Sequence, residues 1–145
     1  MDSSMVSSWP FWALLSAFFA ALTAIFAKVG VEGVDSDVAT FIRTVVILVT
    51  LGFILFVLGK LHSPGSLTTK TWVFLVLSGL ATGASWICYF RALKLGPAAL
   101  VAPVDKLSVV LVAIFGVTLL GEHLQPRQWM GVALVGAGAV LLALN

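Results

Sequence analysis

Five long apolar runs, separated only by short connections, restrict the fold of this chain more than any other feature of its sequence. They cover residues 9–26, 38–58, 72–92, 98–120 and 129–144. A transmembrane helix needs about 20 apolar residues, and the runs lack the apolar–polar alternation of barrel strands, so we expect five transmembrane α-helices. The first run lacks the basic segment of a signal peptide and is too long for one, so we expect a retained span.

The composition agrees with a membrane location. Of the 145 residues, 61% are hydrophobic and 10% are charged, and the mean hydropathy is +1.14. A soluble domain has about 45–50% apolar and about 25% charged residues. The single cysteine excludes a disulfide scaffold, and a net charge of +2 is too small to indicate a nucleic-acid partner. The connections leave no room for an inserted soluble domain, so we expect residues 1–145 to form one all-α polytopic membrane domain.

Small residues spaced four apart predict close contacts between helices. Gly79 and Gly83 form such a pair in the third run, and the last run combines Ala133 and Ala137 with neighbouring glycines, Gly136 among them. Small residues let the backbones of membrane helices approach closely, so both runs are expected to pack tightly.

The basic residues do not define an orientation. We call the side of the N-terminus side A and the opposite side B; each side has three basic residues near helix ends, namely Lys60, Lys70 and Arg127 on side A and Lys28, Arg91 and Lys94 on side B. The positive-inside rule needs a difference between the sides. Two interpretations stay open: the chain inserts both ways and pairs as an antiparallel homodimer, or the acidic connection at 32–37 still determines one orientation.

Four charged residues lie within or close to the apolar runs. Arg43 is about 7–8 Å from the side B end of its run, Asp105 and Lys106 are about 10–12 Å from the side B end of theirs, and Arg91 is within one turn of side B. An unpaired charge costs at least about 2.5–3.5 kcal/mol at the centre of a membrane helix. Pro103 removes a backbone hydrogen bond beside two of these charges, so we expect a kinked helix around a polar cavity.

The charges favour an anionic substrate group. Asp105 and Lys106 are sequence neighbours, so their side chains are expected to point about 100° apart and not to neutralise each other. Arg43, Arg91 and Lys106 then leave about two positive charges in excess, which could bind a carboxylate or phosphate while Asp105 pairs with Arg43 or accepts a proton. The alternative is that these side chains form interhelical ion pairs that stabilise the bundle.

Other residues carry weaker signals. Trp86 and Tyr89 lie three apart on one face of the third run, where they either stack on a substrate or pack as ordinary aromatic residues. Neither His62 nor His123 has a second ligand nearby in the sequence, so no metal site is expected. The chain has no P-loop, dinucleotide glycine pattern, nucleophile elbow or paired carboxylates at catalytic spacing. We therefore expect a protein that is not an enzyme and needs no cofactor.

An ordered set of motifs resembles the EamA-like domain of the drug/metabolite transporter superfamily. The motifs are AIFAKVG at 24–30, ATFIR at 39–43, GASW at 83–86, YFRAL at 89–93, APVDKLS at 102–108, LGE at 120–122 and QWMGV at 128–132. They cover nearly the whole chain, which is most similar to the short bacterial and archaeal members that have one five-helix domain.

The resemblance implies half of a transporter. Larger members carry two such domains in inverted orientation with the substrate cavity between them, so an antiparallel homodimer of this chain would supply the missing half. Small multidrug exporters of the same superfamily exchange protons at a glutamate in the first helix. The first run here has no acidic residue, so any proton role moves to Asp105.

The sequence thus predicts a secondary transporter of small metabolites in the inner membrane, in contact with lipid and acting as a homodimer. We expect the substrate to be anionic or zwitterionic and the transport to be export driven by proton exchange. The predicted pathway residues are Asp105, Lys106, Arg43, Arg91, Trp86 and Tyr89. A noncatalytic membrane subunit, such as a component of a lipid-carrier flippase, is the alternative.

Overall fold

Six α-helices account for nearly all of residues 8–60 and 67–144, the part of the chain that the computed structural model describes. The helices are α1 (Trp9–Gly30), α2 (Ser36–Val57), α3 (Thr69–Leu95), α4 (Ala98–Asp105), α5 (Ser108–Leu119) and α6 (Pro126–Ala143). These residues contain no strand. The connection that holds His62 lies outside the described residues.

The helices are those of a polytopic membrane protein. Four stretches are long and apolar enough to cross a bilayer: α1, α2, α3 and the combined stretch Ala98–Leu119. Helix α6 is the fifth, and its 18 residues begin with Pro126 at the first helical position. The predicted all-α membrane fold is confirmed.

Helix α2 begins two residues before the predicted apolar run, because a side chain caps it. The Asp35 carboxylate accepts the backbone N–H groups of Asp37 at 2.9 Å and Val38 at 3.2 Å. Such a cap satisfies donors that the first turn of a helix otherwise leaves unpaired. Gly33, in the connection between α1 and α2, has a φ of +75°, a backbone conformation that favours glycine.

The fourth predicted run consists of two helices, α4 and α5, that meet at Lys106 and Leu107. Pro103 lacks an N–H group, and the N–H groups after it bond one residue closer than in an α-helix. Lys106 donates to the Pro103 carbonyl at 3.0 Å, and Leu107 donates to the Val104 carbonyl at 3.0 Å. The tightened backbone places Asp105 and Lys106 at the interruption.

Helix α5 ends at a glycine turn. Gly121 has a φ of +69°, and the N–H of Glu122 bonds to the Gly116 carbonyl at 3.0 Å. The Glu122 side chain folds back over Gly116, so that Oε2 lies 2.5 Å from where a Cβ on Gly116 would be. Gly116 therefore provides the space in which this carboxylate lies.

The described residues form two compact units. The hairpin unit is Ala27–Leu95, in which α2 packs against α3. The terminal unit consists of the described residues within Met1–Phe26 and Gly96–Asn145, and in it α4 and α5 both pack against α6.

The glycines predicted to mark close helix contacts behave differently in the two units. In the terminal unit a Cβ on Gly136 would lie 3.0 Å from the Cγ2 of Val110, so α5 and α6 are in close contact there. In the hairpin unit no described atom of another helix lies within 4 Å of the Cβ positions of Gly79 or Gly83. In the last run Gly136 thus marks a close helix contact, whereas Gly131 and Gly138, like Gly79 and Gly83, face no close neighbour on another described helix.

Candidate functional site

Arg91 of α3 forms a two-bond ion pair with Asp37 of α2. Its Nε donates to Oδ1 at 3.1 Å and its Nη2 donates to Oδ2 at 2.6 Å. The sequence analysis counted Arg91 among the excess positive charges and did not recognise Asp37 as its partner. Asp37 lies in the first turn of α2 and Arg91 near the end of α3, and these are the helix ends that the hairpin brings together.

Two lysines at the same end of the hairpin unit bind backbone carbonyls. The Nζ of Lys28 donates to the Leu93 carbonyl at 2.7 Å, and the Nζ of Lys94 donates to the Val34 carbonyl at 2.8 Å. The Leu93 carbonyl lies in the last turn of α3, where carbonyls have no intrahelical partner and a nearby cation stabilises them, and the Val34 carbonyl lies in the connection between α1 and α2. We call Lys28, Arg91 and Lys94 the basic rim; all three cations bond to the protein itself.

Arg43 of α2 lies against aromatic rings of α3. Its Cζ is 4.1 Å from the centre of the Trp86 ring and 5.5 Å from the centre of the Phe90 ring. Arg43 and Trp86 are half-buried and Phe90 is buried, with 3% of its surface exposed. A cation over an aromatic face is attracted by the electron density of the ring. The sequence left open whether Trp86 stacks on a substrate or packs as an ordinary aromatic residue, and in the structure its ring stacks with Arg43.

Tyr89 adjoins the Phe90 ring. It is half-buried and makes an edge contact with Phe90, at 6.5 Å between ring centres. Phe90 was missed by sequence reasoning, although it lies four residues after Trp86 and therefore on the same face of α3. We call Arg43, Trp86, Tyr89 and Phe90 the Arg43 cluster.

Arg43 has its N–H donors available. Within residues 8–60 and 67–144 it forms no hydrogen bond, and no carboxylate lies within 4.0 Å of its guanidinium. A guanidinium carries five N–H donors, and a contact with an aromatic face uses its charge rather than these donors. The cluster can therefore hold an anion by hydrogen bonds without losing its own contacts.

Asp105 and Lys106 form an ion pair in the terminal unit. The Nζ of Lys106 lies 3.3 Å from the Oδ2 of Asp105, and both side chains are partly exposed, at 55% and 36%. The expectation that these neighbours do not neutralise each other is wrong. Lys106 is the first residue after α4, where the regular helix ends, and its flexible side chain reaches back to the preceding carboxylate.

The predicted excess of positive charge is therefore smaller and differently placed. Arg91 is neutralised by Asp37, and Lys106 is neutralised by Asp105. Of these three predicted cations, Arg43 is the one that has no carboxylate partner in the described part of the chain. The same described residues contain no group of three His, Cys, Asp or Glu side chains that could hold a metal ion.

Comparison with known proteins agrees with the motifs. The EamA-like transporter family matches residues 7–144. A protein of Sinorhizobium sp named "Uncharacterized transporter in cobO 3'region" is 63% identical over 139 residues, which are 96% of this chain and 99% of that protein. No solved structure matches. The predicted resemblance to an EamA-like domain is confirmed.

Proposed function

This chain belongs to the EamA-like transporter family, and we propose that it is a secondary transporter of small anionic or zwitterionic metabolites in the inner membrane. We propose further that it exports its substrate in exchange for protons and acts as an antiparallel homodimer. The family and the transporter name of the Sinorhizobium relative support transport across a membrane. The charge class of the substrate, the proton exchange and the antiparallel homodimer are inferred from the placement of charged residues.

The observation that carries the proposal is the ion pair of Asp105 and Lys106 at the interruption between α4 and α5. Both residues lie inside Ala98–Leu119, which is long and apolar enough to cross a bilayer. Charges at this depth are costly and mark substrate or ion pathways. Discontinuous helices with exposed polar backbone form the substrate sites of many secondary transporters. The interruption supports a pathway that passes this pair.

Proton exchange needs a group for which the proton and the substrate compete. Asp105 provides one for a substrate that carries an ammonium group, because the carboxylate binds either the proton or the ammonium. The ammonium of such a substrate would take the place of the Lys106 ammonium beside Asp105. This competition supports exchange rather than cotransport, and it favours zwitterions among the candidate substrates.

An antiparallel homodimer follows from the balance of basic residues. Three lie near helix ends on each predicted side of the membrane, which favours neither orientation. Two copies in opposite orientations would together resemble the paired inverted domains of the larger members of the superfamily.

The proposed pathway is tested by reconstituting the purified protein alone into vesicles that contain a pH-sensitive dye. We expect L-amino acids, supplied as a mixture, to drive proton movement in the parent protein. Asp105→Asn and Lys106→Gln should each lower the rate by about tenfold or more, because each removes a charge-assisted bond.

Matched controls are Glu32→Gln and Lys70→Gln, which make the same chemical changes at exposed positions outside the interruption. Unchanged rates in both pathway variants, with the protein folded, would contradict the proposal. A parent protein that moves neither amino acids nor protons on its own would favour the noncatalytic subunit instead.

The antiparallel arrangement is tested with two C-terminal reporters, one active inside the cell and one active outside. We expect signal from both fusions. Signal from one fusion only would exclude insertion in both orientations and hence the antiparallel homodimer.

A further inference from the structure

The Arg43 cluster has the properties of a binding site for an anion. Arg43 is on a membrane-spanning helix, its guanidinium contacts the rings of Trp86 and Phe90, and it forms no hydrogen bond within the described residues. A cation in apolar surroundings is costly unless it is paired or hydrogen-bonded. The rings supply part of the compensation and leave the N–H donors to a ligand.

We propose that the Arg43 cluster binds the carboxylate group of the transported substrate. The proposal rests on the proposed transport function, because it names the chemical class of the cargo. A guanidinium matches the two oxygens of a carboxylate through two parallel N–H···O bonds. Trp86 and Phe90 hold Arg43 in place, and Tyr89 beside Phe90 adds a phenol group at the edge of the cluster.

The charge of the Arg43 cluster itself favours a singly charged ligand. The Arg91 guanidinium is neutralised by Asp37, and the lysines of the basic rim donate to backbone carbonyls. Arg43 therefore contributes one positive charge to the cluster. A carboxylate neutralises one charge, whereas a phosphate monoester, with about −1.5 to −2 charges near neutral pH, would leave negative charge in apolar surroundings.

The position of the guanidinium favours a ligand from the substrate pathway over a lipid headgroup. Phe90 is closer than Trp86 to the C-terminal end of α3. The two residues are four positions apart, which is about 6 Å along the helix axis. The guanidinium carbon is nearer to Trp86, at 4.1 Å, than to Phe90, at 5.5 Å. An arginine that reached for headgroup phosphate would extend toward the helix end, as long basic side chains do at interfaces.

The test measures ligand binding separately from transport. In a variant that keeps Trp86 and replaces the other four tryptophans by phenylalanine, Trp86 fluorescence reports directly on the cluster. The protein, in a phosphate-free maltoside detergent, is titrated with L-lactate, with L-alanine, with inorganic phosphate and with phosphatidylglycerol. We expect a saturable response to lactate and alanine that inorganic phosphate does not reproduce.

Two substitutions at position 43 define the role of the guanidinium. Arg43→Lys keeps the charge but loses the paired donors, and it should raise the Kd for lactate by about 10- to 100-fold. Arg43→Gln should abolish the response and leave thermal stability unchanged or higher, because it removes a half-buried charge that serves the ligand rather than the fold. Arg127→Lys is the matched control, because it makes the same change at an exposed arginine outside the cluster, and the Kd should stay within about twofold of the parent value.

The outcomes separate the possible occupants. An unchanged Kd in Arg43→Lys, or loss of stability in Arg43→Gln, would overturn the proposal in favour of a structural role. A response to phosphatidylglycerol but not to lactate or alanine would assign the cluster to lipid and also overturn it. Lactate binding without transport by the purified protein would refute the proposed function alone, and transport without binding at Arg43 would refute the site alone.

Discussion

Arg91 and Arg43 lie on the same pair of helices, yet their surroundings are opposite. Arg91 makes two hydrogen bonds to Asp37 where the ends of α2 and α3 meet, whereas Arg43 lies 4.1 Å from the ring centre of Trp86 and has no carboxylate partner within the described residues. Arg43 lies six positions after Asp37, which corresponds to about 9 Å along α2. Over that distance the role of an arginine changes from joining two helices to offering donors to a ligand.

The largest expected difference between the two arginines is in transport. Arg43→Gln should lower the initial rate of substrate-driven proton movement in reconstituted vesicles by about 10- to 100-fold, because it removes a charge-assisted contact with the cargo. Arg91→Gln should lower it by less than about threefold, since an exposed ion pair contributes little. Equal decreases in transport rate in the two variants would contradict the proposed difference in role between Arg43 and Arg91.

An intermediate decrease in the transport rate is expected when a carboxylate is introduced beside Arg43, as Asp37 lies beside Arg91. Thr40 is buried one turn before Arg43 on α2, and its hydroxyl donates to the Ser36 carbonyl at 2.8 Å. Thr40→Asp places a carboxylate three residues before the arginine, a spacing at which helical side chains interact. The carboxylate would compete with the cargo and lower the transport rate by about three- to tenfold, as a bond of about 1 kcal/mol would.

Thr40→Asn is the matched control, because it has the same shape as the aspartate variant without the charge. Its transport rate should exceed that of Thr40→Asp by most of the expected effect. If the two variants transport equally slowly, the loss arises from packing at position 40 and says nothing about Arg43.

The smallest effect is expected at the paired arginine. Asp37→Asn weakens the ion pair with Arg91, whose side chains are both about half exposed, so the unfolding temperature in detergent should fall slightly. In 1 M salt the Debye length is about 3 Å, so exposed charges are screened. The difference in unfolding temperature from the parent protein should therefore disappear. A large decrease in the unfolding temperature, unaffected by salt, would show that this pair stabilises the hairpin unit far more than its exposure indicates.

Much of the fold could be predicted because apolar length alone selects membrane helices. The start of α1 at Trp9 and of α4 at Ala98 match the predicted runs, and other helix ends differ by a few residues. The differences have local causes. Asp35 caps α2, so that helix begins before its apolar run, and α1 and α3 extend past their apolar runs through turns that contain Lys28 and Lys94. The predicted fourth run is two helices, because the backbone after Pro103 tightens over several residues rather than bending at one.

The candidate site was predicted only in part. Arg43, Trp86, Asp105 and Lys106 were recognised as charged or aromatic residues within apolar runs, and that recognition needs no structure. Their partners were not recognised. The stacking of Arg43 on Trp86 depends on how α2 packs against α3, and the ion pair of Lys106 with Asp105 depends on the backbone where α4 ends. Counting charges along the sequence overestimated the positive excess because it left Asp37 out.

The sequence by itself determined the membrane location, the helical fold and the family, because each depends on local composition and on motifs read in order. The tertiary structure decided which charges are already neutralised. Residues 54 positions apart, Asp37 and Arg91, become partners only when α2 packs against α3. The same packing places Trp86 under Arg43 and leaves the donors of that arginine to a ligand, since partner choice depends on distances between helices.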